Sequence, residues 1–373
     1  MSERDRFFTR LIRVAFAAAA VALCLAFALP AAAQSSDRAE PQKTAWDESF
    51  IEARSKELRT ELDAFLEKAG FSSKTRVKRS ERFLFVYDVS DGYVEWISAL
   101  LNEVAKAFDK FVEKIGLEVD ELSEPMVVVI FATREEFDAY AVELRGPAYL
   151  AQENKPTGFY TQRLNRSIIY DRTGVESTRS DLDAPPDENR QYSRKRINEE
   201  AHAIKQRDFA DANTSTIVHE ATHQLCYNYG LFSPDFRAPD WVVEGMATTF
   251  EQTTSEAPLG WRFRNVFPVN TNRLNEFRKY ASNHPNCEIL DEILVSDAFA
   301  ERLDSAGYAA SWAMFFYCCR KRPKELARYL EKIAKKRPFS EYPPQERLDD
   351  FQECFGDIHE FGVEFSRFVR KLR

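Results

Sequence analysis

His219-Glu220-Ala221-Thr222-His223, followed downstream by Asp240-Trp241-Val242-Val243-Glu244-Gly245-Met246-Ala247, is the part of the chain from which the rest can be organised. Two histidines four apart on a helix lie on one face, so both imidazoles can reach one metal ion. Glu220 beside them is placed to take a proton from a water that such an ion polarises. A five-residue pattern also arises by chance, as polar residues on a solvated helix face, so its flanks matter. Asp211, Asn213, Thr214 and Ser215 offer N-caps, Ile217, Val218, Ala221 and Leu225 form an apolar side, and Gly230 suits the position just past the helix end. The spacing predicts a partly buried helix of about 15 residues. A buried helix carrying two histidines and a glutamate needs partners for them, and a metal ion supplies one.

The remaining ligand decides the type of centre. The metzincin pattern needs Gly at 226 and His at 229, where this chain has Cys226 and Tyr229. His202, His284 and His359 have no obvious spacing to the motif. Glu244 lies on a second predicted helix that starts near Pro239-Asp240, with proline and an acid suited to a first turn. Two antiparallel helices joined by a loop bring Glu244 across from His219 and His223. The expected result is a zinc site of two histidines and a glutamate, one ion per chain, with an open fourth position. Cys226, one turn beyond His223, is either a competing ligand or a core residue. Thr248 and Glu251 either orient the imidazoles or are solvated helix residues.

The pairing of the HExxH run with Trp241-Val242-Val243-Glu244-Gly245-Met246-Ala247 resembles the gluzincin peptidases: distantly the aminopeptidase N family, more closely the secreted peptidase-MA-like domains of unknown function. The likeness covers roughly residues 80 to 373 as pattern rather than identity. It implies that His219, His223 and Glu244 bind zinc and that Glu220 is the general base. It also implies an edge strand above the motif helix that takes an extended peptide by strand addition, here Ser167–Tyr170 or its hairpin partner. A tyrosine opening a later helix holds the oxyanion in such enzymes, which points to Tyr308; as a plain sequence feature Tyr308 is equally a core or cleft-wall aromatic. The G-x-M-E-N motif that holds a free amine in the aminopeptidase N family is missing, so aminopeptidase specificity is not implied.

The N-terminus adds a compartment. Arg4, Arg6, Arg10 and Arg13 precede an apolar run from Val14 to Leu29, and Pro30-Ala31-Ala32-Ala33 ends it with an A-x-A site. Residues 1–33 therefore read as a signal peptide cleaved after Ala33, in preference to an uncleaved anchor, and the expected location is secreted or periplasmic. No membrane span is expected in the mature chain. The whole chain has 52 basic and 60 acidic residues; without the four arginines and two acids of 1–33, the balance is 48 to 58. That acidity argues against a nucleic-acid partner. Five cysteines remain (Cys226, Cys287, Cys318, Cys319 and Cys354), an odd number whose pairing spacing does not give.

Hydrophobic periodicity fills in the remainder. Trp46–Ala69 reads as a charged amphipathic helix that either packs on the catalytic domain or lies outside it. Phe83–Tyr87 and Met126–Phe131 read as strands, Tyr93–Ile115 and Arg134–Leu144 as helices, and Gly158–Thr161 with Ser167–Tyr170 as a hairpin. Residues 171–201, with Pro185-Pro186 and many charges, read as a long surface loop. Thr271–Ser282, Ala306–Cys319, Lys324–Lys335 and Ile358–Leu372 read as helices. The expected fold is α+β and zincin-like: a small mixed or antiparallel sheet, the motif helix and a helical C-terminal lobe. The divisions are 34–79 (linker and N-terminal helix), 80–260 (catalytic subdomain) and 261–373 (C-terminal subdomain). The expected activity is zinc-dependent hydrolysis of a peptide or protein substrate. The alternative is an inactive domain of the same shape that binds peptides or cell-envelope material.

Overall fold

Continuous apolar runs become the centre of the sheet. Strands β2 (Phe83–Tyr87) and β3 (Met126–Phe131) are buried along their whole length, because helices cover both faces. The computed structural model describes residues 46–152, 155–172, 212–254, 259–262, 267–282, 286–295 and 305–372. The segment expected to be a signal peptide, 1–33, and nearly all of the segment expected to be a surface loop, 171–201, lie outside them. Among the described residues the sheet has five strands in the order β1 (Arg76–Arg79), β2, β3, β5 (Arg166–Tyr170), β4 (Gly158–Thr161). The inner pairs β2/β3 and β3/β5 are parallel, and the outer pairs β1/β2 and β5/β4 antiparallel. The sheet is therefore mixed, and the outer strand of the 158–170 hairpin is β4.

Side chains alternate across the two faces. Leu84, Val86, Val127, Val129, Phe131 and Ile168 meet helices α1 (Glu48–Lys68) and α3 (Arg134–Arg145). The N-terminal helix thus packs on the sheet: Leu58, Leu62 and Leu66 have no exposure, and Glu61 forks onto Arg166 of β5 at 2.6 and 2.7 Å. Residues Trp46–Arg373 belong to one compact unit. Phe83, Phe85, Val128, Ile130 and Ile169 face the opposite way, into a core shared with α2 (Asp91–Ile115), α4 (the motif helix, helical over 212–228) and the helices that follow.

Of the expected N-caps, Asn213, Thr214 and Ser215 are inside helix α4, where buried Asn213 donates to the Tyr93 hydroxyl, and Asp211 lies outside the described residues. Gly230 follows the helix with φ of 72°, as its sequence position implies. Then come α5 (Asp240–Phe250), α6 (Thr271–Ala281), α7 (Asn286–Val295), α8 (Ser305–Lys321), α9 (Pro323–Ala334), α10 (Pro344–Phe355) and α11 (Ile358–Lys371). Helix α8 lies against both α5 and α6, with Ala309, Ala310, Trp312, Ala313, Met314, Phe315 and Phe316 buried. No helix among the described residues is long and apolar enough to cross a membrane.

Candidate metal centre

Helix α4 presents two polar stripes. Thr216, Glu220 and Gln224 repeat every four residues and face the sheet: Thr216 meets Thr157 at 3.1 Å, and Gln224 accepts from Ser167 at 3.0 Å. Gln224, wholly buried, also donates to the carbonyls of Val127 and Asn165 at 3.0 and 3.2 Å. These bonds fix the rotation of the helix about its axis, because a slip would leave buried amide groups without partners. His219 and His223 form the adjacent stripe and are thereby aimed at α5.

Glu244 sits one turn into α5, next to Gly245. A Cβ at position 245 would lie 2.6 Å from the Ser311 carbonyl oxygen and 2.7 Å from Phe315 Cβ, so only glycine lets α5 and α8 approach this closely. With the helices so placed, Glu244 Oε2 stands 3.2 Å from His219 Nε2 and 3.5 Å from His223 Nε2, and the two Nε2 atoms are 3.1 Å apart. A tetrahedral ion with bonds of about 2.0–2.1 Å keeps its donors about 3.3 Å apart, and these three separations bracket that spacing. Glu244 Oε2 is buried and has no hydrogen-bond partner among the described residues. Three lone-pair donors facing one another, one of them an orphaned carboxylate oxygen, form a set that can hold a metal ion. Burial opposes ionisation of Glu244, but His223 and His219 prevail and hold its carboxyl below the usual range.

The other side of His219 is also held. Its Nδ1 lies 3.1 Å from Glu251 Oε2, while Glu251 Oε1 accepts from Arg273 Nε at 3.0 Å and from Asn270 at 3.5 Å. Burial works against a charged Glu251, yet His219 and Arg273 keep its pKa low. Burial likewise works against a protonated His219, and Glu244 and Glu251 outweigh it, raising the pKa. A carboxylate on Nδ1 fixes the ring and its tautomer so that the Nε2 lone pair faces the centre. Of the two residues left open by the sequence, Glu251 therefore orients an imidazole. Thr248 does not: its hydroxyl turns back to the carbonyls of Glu244 and Gly245 at 2.6 and 3.2 Å. Arg273 and Ser167 carried no sequence signal, since each reaches the site from an element remote in the chain, and the role of Gln224 was hidden because its partners Ser167, Val127 and Asn165 are remote.

Tyr308 lies on α8 one turn before Ser311, on the face that meets α5. Its ring is 6.0 Å from that of His219, edge to face, and the Arg273 guanidinium sits over it at 5.3 Å. Burial, then the charges of Glu244 and Glu220, push its pKa above the ordinary phenol value, so it is a neutral hydrogen-bond donor. The Glu220 side chain makes no hydrogen bond to a described residue; its backbone carbonyl accepts from Ser167 at 3.3 Å. Cys226 is a core residue rather than a ligand, fully buried with its sulfur 3.1 Å from that of Met246. Cys226, Cys318, Cys319 and Cys354 are free thiols.

Residues 213–340 match the model of a family described as a protein of unknown function, DUF1570. That span contains His219, Glu220, His223, Glu244, Glu251, Arg273 and Tyr308, and stops short of the sheet. No curated protein matches the chain.

Proposed function

We propose that this protein is an exported zinc-dependent metallopeptidase of gluzincin type, with one zinc ion on His219, His223 and Glu244. The observation that carries the reading is the buried, unpartnered Glu244 Oε2 converging with two imidazole nitrogens at the spacing of tetrahedral ligands. Two nitrogens and one carboxylate oxygen suit zinc, and three protein ligands rather than four suit a catalytic ion. When bound, zinc lowers the pKa of a water and polarises the scissile carbonyl.

The chain's own groups supply the rest. Glu220, one residue from a ligand and with no side-chain hydrogen bond to a described residue, accepts the proton of the attacking water and passes it to the leaving amine. Tyr308 donates a hydrogen bond to the oxyanion. Glu251 and Arg273 hold His219 in register. Strand β4, the edge beside α4, offers backbone donors and acceptors to an extended peptide. The basic and apolar segment over 1–33 supports a site of action outside the cytoplasm.

The test joins metal content to turnover. Purified protein should carry close to one zinc per chain, and a His219→Ala/Glu244→Ala double variant close to none. Glu220→Gln should keep zinc and lose cleavage of a peptide library by at least about 100-fold. A wild type that takes up no zinc on reconstitution would sink the reading. Undiminished function in Glu220→Gln would favour a peptide-binding domain instead.

A further inference from the structure

Strand β4 pairs with β5 on one side and with no described strand on the other. Its side chains alternate. Gly158 and Tyr160 face α4: a Cβ at 158 would lie 2.7 Å from Thr216 Cγ2 and 3.3 Å from Glu220 Cγ, and the Tyr160 ring is 5.5 Å from that of Tyr227. Phe159 points the other way, into the core under α3. The last residue of α3, Arg145, lays its guanidinium over the Phe159 ring, 4.0 Å from the centroid, at the rim of this edge.

Four partly or fully buried arginines each meet a carboxylate, Arg82 with Asp109, Arg134 with Asp138, Arg166 with Glu61 and Arg273 with Glu251, while buried Arg347 donates to the Tyr342 carbonyl. Arg145 meets no carboxylate in a salt bridge among the described residues, its side chain is exposed, and Glu220 is near enough for its charge to act on the guanidinium. An unmatched cation thus stands at the edge where a peptide strand would add, within electrostatic reach of the candidate general base. A strand laid along β4 also alternates. If one of its residues faces Glu220, its neighbours point across the edge toward Phe159 and Arg145.

We propose that Arg145 is a substrate-binding residue that takes a carboxylate of the peptide, so that the site selects acidic substrates. The inference rests on the peptidase reading above. The planar fork suits two carboxylate oxygens, and stacking on Phe159 holds it flat and pre-set. The carboxylate is that of the peptide C-terminus or of an Asp or Glu side chain, which present the same two oxygens. A cation serving only the C-terminal dipole of α3 would give no dependence of affinity on peptide charge.

Four dye-labelled octapeptides of one sequence, ending as free acid or amide and carrying Asp or Asn near the C-terminus, test this by fluorescence anisotropy. They are titrated against the full chain bearing E220Q, with and without added zinc. In at least one matched pair the carboxylate member should bind about tenfold tighter, and the pair that shows it identifies the source. Adding R145Q should bring that ratio to about one, R145E should invert it, and R145K should keep part of it. Thermal melts check that the variants fold. A ratio of one with Arg145 in place, a ratio that survives R145Q, equal weakening of both members, or no binding by any of the four overturns the assignment. Turnover by the Glu220 protein is scored separately. A carboxylate preference without hydrolysis leaves the Arg145 site standing and removes the peptidase reading; hydrolysis without a preference does the reverse.

Discussion

Glu244 and Glu251 pack beside imidazoles and a guanidinium, whereas Asp88 and Glu136 pack beside each other. Both places contain a buried carboxylate oxygen with no hydrogen-bond partner among the described residues: Oε2 of Glu244 and Oδ2 of Asp88. Their surroundings set opposite demands. Burial opposes the charge of Glu244, but His223 and His219 outweigh it and keep the carboxyl ionised. At the end of β2, Asp88 accepts the Ala132 N–H at 2.7 Å, while Glu136 accepts from Thr133 and Ser73. Burial, and then the charge of Glu136, push Asp88 up to about 7. In the proposed reading the first oxygen takes a divalent ion and the second a proton. Burial alone does not separate the two carboxylates; the charge of what faces each one does.

That contrast can be broken at its strongest point first. Glu244→Ala should lower zinc affinity by several orders of magnitude, measured by chelator competition. An affinity near that of wild type would mean that Glu244 is not a ligand. Glu251→Gln keeps the shape beside His219 but removes the charge and strips Arg273 of its partner. It should weaken zinc about 10- to 100-fold, and an unchanged affinity would make the Glu251 contact incidental.

The smallest effect belongs to the acid pair. A folded-state pKa above the ordinary 3.8 means that the folded chain binds more protons than the unfolded chain between about pH 4 and 7. Stability therefore falls as pH rises through that window and stays reduced above it. Asp88→Asn keeps the Ala132 bond and sets an amide against Glu136. It should be about 1 kcal/mol more stable than wild type near pH 8, with little difference near pH 5, by chemical denaturation. It should leave zinc affinity unchanged; a loss of zinc would show that the two clusters are coupled. A variant less stable than wild type near pH 8 would contradict the raised Asp88.

The sequence is easiest to read where a signal lies within one element. Strands β2 and β3 stand out because both faces are covered, so their residues are apolar without interruption. The motif histidines are legible because helical spacing alone puts them together, and Glu244 because one loop separates its helix from theirs. Legibility ends where tertiary contact decides. Arg76–Arg79 has one apolar residue, Val77, and is a strand only because β2 offers it an edge. Helices α7 and α10 escaped the periodicity reading; α10 opens with proline and acids, and its buried stripe of Phe351, Cys354 and Phe355 comes late. Glu251 could not be told from a solvated residue because Arg273, which holds its other oxygen, arrives from α6. For the same reason the hairpin was visible but its outer strand was not, since that depends on which partner β3 chooses.

Gly245 has an evolutionary consequence. The contact it permits with Ser311 is a demand of packing, independent of any bound ion, and the same contact sets the distance between Glu244 and Tyr308. If the proposed chemistry is right, a lineage released from selection on it would be free to replace His219 or Glu220, but not this glycine. Descendants that had lost the chemistry would be recognised by a surviving glycine beside a vanished glutamate.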